Sequence, residues 1–244
     1  VGTPVMALNQ GGGWGEYAWV DQSQVWPVLE GVDDPTAAAI CMAYTTSHCG
    51  LHWEGGLQAG ETVLITGATG GVGLAAVQIA HAMGAKVIAV ASSDERLAIA
   101  ADNGADHGVN YTSVGLKDAV MELTDGNGVD VAFDPVMGSL YPDVLSSLAW
   151  GGRHVIIGFA GGEIPQIPSN RLLVKNRRAL GMVMRYYRYH KPDMMRETVD
   201  ILQRWYLDGQ IRPLIAEIGP LEKAPEFLEH FRIILAHSHR RQRS

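Results

Sequence analysis

Short, largely apolar runs alternate with longer amphipathic stretches through the middle of this chain. Runs at 63–66, 86–91, 107–110, 129–133 and 153–158 have strand length. Between them, 72–83, 94–103, 115–124 and 139–148 carry a helical period. A further apolar run at 179–184 precedes a helix predicted over 192–207. The segments VLIT, VIAV, VDVAF and HVIIGF are nearly continuous in apolar residues. Strands of that kind are buried on both faces, so the pattern predicts an α/β fold, a doubly wound parallel sheet between two helical layers.

The flanks differ. Residues 14–29 break into short β-like runs. Asp33, Asp34 and Pro35 then open a helix, proline being suited to a first turn, and the helical pattern continues to about Trp53. Residues 210–244 return to a mixed β/α pattern with an amphipathic helix at 221–235 and a basic, solvated tail, HSHRRQRS. Three units follow: a β-like segment (1–34), the parallel-sheet domain (35–209) and a C-terminal segment (210–244) expected to rejoin the first.

Composition narrows the classes. The 244 residues carry 19 basic and 26 acidic side chains, a net charge of −7 that disfavours a nucleic-acid partner. No apolar run is long enough for a membrane span, and the first residues lack a signal-peptide pattern. With only Cys41 and Cys49, about two helical turns apart, a reducing cytoplasm is the expected compartment.

The most informative segment is TVLITGATGGVGLAAVQIAHAMGAKVIAVA, residues 62–91. A strand enters a glycine turn, the turn opens a helix, and a second strand follows. That is the setting of a dinucleotide site. Gly70 and Gly73 would let the backbone approach a pyrophosphate at the helix N-terminus and let the helix pack close to its strand, with Gly70 the candidate for a positive φ. At the end of the second strand an NAD site usually has an acid. Here stand Ala91, Ser92 and Ser93, with Arg96 one turn on, a set suited to a 2′-phosphate and so to NADP(H). Asp94 is expected to cap the helix that starts there.

Other chemistries find less support. His48 and His52 share a helical face with Cys49 between them, but no third ligand is evident, so both are expected to be surface or partly buried histidines and no metal is expected. The two cysteines lack a nucleophile signature and are expected to be core residues. The cluster MRYYRYH, 184–190, is expected to form a strand end at a subunit or cleft boundary.

The stretches GGGWGEYAWV, AYTTSHCGL, LQAGETVLITGATGGVGLAAVQIA, ASSDERLAIAADNGADHGVNY, VDVAFDPVMG, GGRHVIIGFAGG and NRLLVKN resemble the medium-chain dehydrogenase/reductase superfamily, in its zinc-free quinone oxidoreductase (zeta-crystallin-like) branch. The resemblance implies a Rossmann domain joined to a GroES-like catalytic β domain, of which this chain carries a remnant. It implies hydride transfer from NADPH to a quinone or related conjugated carbonyl, with enoyl-thioester reduction, or a nucleotide-binding role without turnover, as the alternatives. It places Gly70, Gly71, Val72 and Gly73 at the pyrophosphate turn and Ser93, Arg96 and Tyr111 near the 2′-phosphate. Thr46 would face the nicotinamide and is the candidate catalytic residue. The loop from Asp134 to Gly138 would lie beside the nicotinamide ribose, and Gly158, Phe159 and Ala160 would wall the ring. In zinc-dependent relatives a cysteine stands where this chain has Met42. A homodimer through 178–184 is also implied.

Overall fold

The computed structural model describes residues 2–9, 11, 13 and 15–226. A short antiparallel pair, β1 (Val5–Ala7) and β2 (Val25–Pro27), precedes the main body. The first helix, α1 (Asp34–Ala39), is capped by the Asp33 carboxylate, which accepts from the Thr36 amide at 2.8 Å. It continues without a break through a π-helical stretch (Ile40–Tyr44), α2 (Thr45–His48) and a second π-helical stretch (Cys49–Glu54).

Strand and helix then alternate: β3 (Thr62–Thr66), α3 (Gly71–Ala82), β4 (Lys86–Ala91), α4 (Asp94–Asp102), β5 (His107–Asn110), α5 (Leu116–Leu123), β6 (Val129–Asp134), α6 (Tyr141–Ser147), β7 (Leu148–Ile156), α7 (Ser169–Leu173), β8 (Arg178–Gly181), α8 (Met184–His190) and α9 (Pro192–Leu207). The sheet is parallel, in the order β5-β4-β3-β6-β7-β8. This is the doubly wound arrangement expected from the alternation, and the strand order reverses direction between β3 and β6.

Side-chain alternation splits the strands between two cores. Val63, Ile65, Val87, Ala89, Val131, Phe133 and Val155 point to the face covered by α3, the long first helix and α9. Leu64, Ile88, Val90, Val109 and Ala132 point to the face covered by α5 and α6. Each fully buried aliphatic side chain contributes roughly 1.5–3 kcal/mol, which explains why the runs are apolar at every position rather than every second one. Helix α3 is itself buried from Gly73 to Ala80 between the sheet and the first helix.

Three local expectations change. Residues 184–190 form α8, not a strand end, because the turn brings Tyr187 and Arg188 inward. The Tyr187 hydroxyl donates to Glu54 at 2.7 Å, and the Arg188 guanidinium reaches the Leu8 carbonyl and Gln24. Strand β7 starts at Leu148 rather than near 153, the register with β6 shifting between Val129 and Val131. The helix expected at 221–235 begins with a 3₁₀ turn (Leu221–Lys223), and its remainder beyond 226, with the basic tail, lies outside the described residues.

The end of β2 and Leu29 are tied to the body by reciprocal bonds. The Leu29 amide donates to Gln203 at 2.8 Å, and Gln203 donates to the Pro27 carbonyl. The chain just after α9 is held similarly: the Arg212 amide donates to the Gln78 side chain, which donates to the Arg212 carbonyl.

Candidate dinucleotide site

Parallel strands place all their C-terminal ends on one edge, and ligands of such sheets gather where the strand order reverses. A cleft of about 420 Å³ lies there, at the ends of β3, β4 and β6. Its floor is the turn after β3. Gly67 sits at φ +57, and the Gly70 amide closes the turn onto the Gly67 carbonyl at 2.9 Å. Gly70 itself, at φ −77, is an extended cap residue, so the positive φ expected there belongs to Gly67. Gly73 is needed for close approach: a Cβ there would stand 2.1 Å from the Gly67 carbonyl oxygen. At Gly71 a Cβ would meet nothing within 4 Å. The first amides of α3 lack helical acceptors and lie in the wall of this cleft, a ready anion site.

Of the residues singled out from the sequence, Gly70, Gly71, Val72, Gly73, Ser92, Arg96, Tyr111 and Ala160 line this one cleft. Among the described residues that line it, Arg96 is the only charged side chain and none is a carboxylate. Asp94 is turned to a separate groove, where its carboxylate accepts from Asn110 at 2.9 Å. It is not the cap. Ser93 is, its hydroxyl accepting from the Arg96 amide at 3.4 Å.

Five of the singled-out residues lie outside the lining. Ser93 is occupied as the α4 cap. Gly158 and Phe159 precede Ala160 in the loop after β7, and Phe159 is exposed. Thr46 sits half-buried on α2, its hydroxyl 4.0 Å from the Met42 sulfur. The neighbouring Ser47 hydroxyl donates to the Val72 carbonyl at 2.7 Å, so α2 abuts the first turn of α3. Asp134 is fully buried beneath the cleft. Burial alone would raise its carboxyl. Hydrogen bonds from His154, the Met137 amide and Thr66, with the nearby imidazole charge, outweigh that and hold it below the ordinary carboxylate range. Thr69, Leu140 and Gly161 also line the cleft and were not singled out. Periodicity marks helices and strands, not the loop residues that converge on them.

His48 departs from expectation. It is buried, with Nδ1 3.0 Å from the Thr198 hydroxyl oxygen, to which Trp53 Nε1 also donates at 3.0 Å. Burial, helped by the charge of His52, pushes its pKa down to about 3. His52 is half-buried. Cys41 and Cys49 are free and buried, and burial pushes their thiols up to about 11 and about 12.

A family model described as zinc-binding dehydrogenase matches residues 71–204. A quinone oxidoreductase-like protein 2 homolog from Nematostella vectensis is 40% identical over 220 residues, covering 89% of this chain and 60% of that protein. The quinone oxidoreductase from Thermus thermophilus, solved also in complex with NADPH, is 31% identical with a TM-score of 0.79, covering 90% of this chain and 70% of that one. The chain belongs to the medium-chain dehydrogenase/reductase superfamily, on its quinone oxidoreductase branch. A mycobacterial relative, Rv1454c complexed with NADPH, is 26% identical with a TM-score of 0.88, covering 97% of this chain and 72% of that one. This member spans less than two-thirds of the length of the Nematostella protein.

The family model's description implies zinc, and the donor set does not fit it. No three His, Cys, Asp or Glu side chains come together to hold an ion among the described residues. His48 Nδ1 is engaged with Thr198, and both thiols are buried with their protons held. No step is assigned to a metal.

Proposed function

We propose that this chain is an NADPH-dependent oxidoreductase that reduces a quinone or a related conjugated carbonyl. The observation that carries the reading is the cleft at the strand-order reversal. It joins a glycine turn and free helix amides to Ser92, Arg96 and Tyr111, with no carboxylate among the described lining residues to repel a 2′-phosphate. The glycine turn and the α3 amides would hold the pyrophosphate, and Arg96 the 2′-phosphate. Pro135, Val136, Ala160 and Gly161, on the loops after β6 and β7, would flank the nicotinamide, which when bound supplies the hydride.

The chain's own part is to orient the two reactants, exclude water and offer hydroxyl or amide donors to developing oxyanion charge. Thr46, on the helix that abuts α3, remains the candidate donor. Residues 1–34 are read as part of a catalytic β domain, 35–209 as the dinucleotide domain and 210–244 as the return. The edge strand β8 and its continuation, 178–184, are read as a homodimer seam, since an apolar sheet edge calls for cover. The free buried thiols suit the cytoplasm.

The test is hydride transfer itself. NADPH oxidation should accelerate on adding a quinone, and an enoyl thioester should be the poorer acceptor. A preference for the thioester would move the chain to the alternative substrate class. NADPH binding with turnover of neither would favour the nucleotide-binding role.

A further inference from the structure

We propose that His154 is a positioning residue of the cofactor cleft, acting through the buried carboxylate of Asp134. The proposal rests on the dinucleotide reading above. Asp134 closes β6 at the strand-order reversal, and its side chain accepts four hydrogen bonds. Oδ1 takes the Thr66 hydroxyl at 2.6 Å, the Val136 amide at 3.0 Å and the Met137 amide at 2.8 Å. Oδ2 takes His154 Nε2 at 3.0 Å. A carboxylate only accepts, so Nε2 carries the proton. Thr66, Asp134 and His154 are each 0% exposed.

These four donors come from the ends of three strands. Thr66 is the last residue before the glycine turn. Val136 and Met137 belong to the loop after β6. His154 belongs to β7. The loop after β7 then hangs on the loop after β6: the Ala160 amide donates to the Pro135 carbonyl at 3.1 Å, and the Gly161 amide to the Val136 carbonyl at 2.8 Å. One carboxylate therefore aligns the pyrophosphate turn with both walls of the nicotinamide end.

The loop needs such a hub. Met137 is held at φ +55, ψ −126, a conformation that side chains beyond glycine rarely adopt. Its amide is spent on Asp134 and its side chain is buried. His154 follows Arg153 in β7 and is the one polar side chain of the stretch His154–Ile156 that ends the strand. The imidazole adds the bond to Asp134 and a stacked contact with the Tyr141 ring, centroids 5.5 Å apart; of the two, the glutamine variant below restores only the bond. Without that donor, Oδ2 becomes a buried anionic oxygen with no partner. The carboxylate then turns or takes up a proton, and it releases the amides that fix the loop.

The experiment compares His154→Leu, which keeps volume and removes the donor, with His154→Gln, whose amide nitrogen can reach the place of Nε2. NADPH and NADH affinities and amide exchange at Val136 and Met137 are measured in the full chain. His154→Leu should weaken both nucleotides by a similar factor, on the order of tenfold, leaving their ratio unchanged, and should speed exchange at both amides. His154→Gln should stay close to wild type in all three readouts. Equal behaviour of the two variants would overturn the proposal, because a packing role does not distinguish a donor from a methyl group. If His154→Leu does not fold, Thr66→Val removes another donor from the same carboxylate. It should speed exchange at Met137, and unchanged exchange there would overturn the hub. Wild-type protein that binds neither nucleotide overturns the dinucleotide reading instead, and the positioning role falls with it.

Discussion

At the scale of single residues, Arg96 and Gly73 carry the sharpest expectations. Arg96 is the one charge among the described residues of the cleft lining, so its contribution should depend on the 2′-phosphate. Arg96→Ala should weaken NADPH binding by about 10- to 100-fold, the worth of a charge-assisted bond, and leave NADH nearly unchanged. Parallel calorimetric titrations read this directly, and equal weakening of both nucleotides would contradict it. Gly73→Ala drives a methyl group into the Gly67 carbonyl, so the turn must open. A loss of about 2–4 kcal/mol in unfolding free energy is expected, against a much smaller effect for Gly71→Ala, where the added Cβ meets nothing. The glycine cluster was legible in the chain as a phosphate turn. Which glycine does what was not, since φ at Gly67 and the contact at Gly73 come from how the helix docks on the strand.

At the scale of elements, the long first helix meets α9 through His48. Its folded-state pKa lies below the ordinary value of 6.5, at about 3, so the fold favours the neutral ring. The stability it contributes is complete above pH 6.5 and is lost as pH falls from there toward 3. The slope is about 1.4 kcal/mol per pH unit. Denaturant titrations at pH 7.5 and 5 should show this loss in the wild type and a shallower one in His48→Gln. Identical slopes would place the titration elsewhere. The edge strand β8 gives a second test: if 178–184 is a dimer seam, Leu180→Lys should leave a folded monomer by sedimentation while the wild type is dimeric. A wild-type monomer would remove the seam. Strand and helix succession was plain from apolar periodicity, since each strand is buried on both faces. Residues 184–190 misled because their aromatic and basic side chains suit a strand end as well as a helix. Only the pairing of Tyr187 with Glu54 and of Arg188 with Gln24 selects the turn.

At the scale of the whole molecule, the fold class is legible in the sequence, because the βα alternation admits few other arrangements. The Asp134 hub could not. Its donors lie at 66, 136, 137 and 154, brought together by the sheet order; Asp134 was marked in the sequence only as the start of a loop, and nothing there tied it to His154. The central claim is that the end of this sheet holds a phosphorylated dinucleotide. Calorimetric titration of the chain with NADPH and then NADH tests it most directly. The account predicts one NADPH per chain, bound at least about tenfold more tightly than NADH. Tighter binding of NADH, or binding of neither, would contradict it.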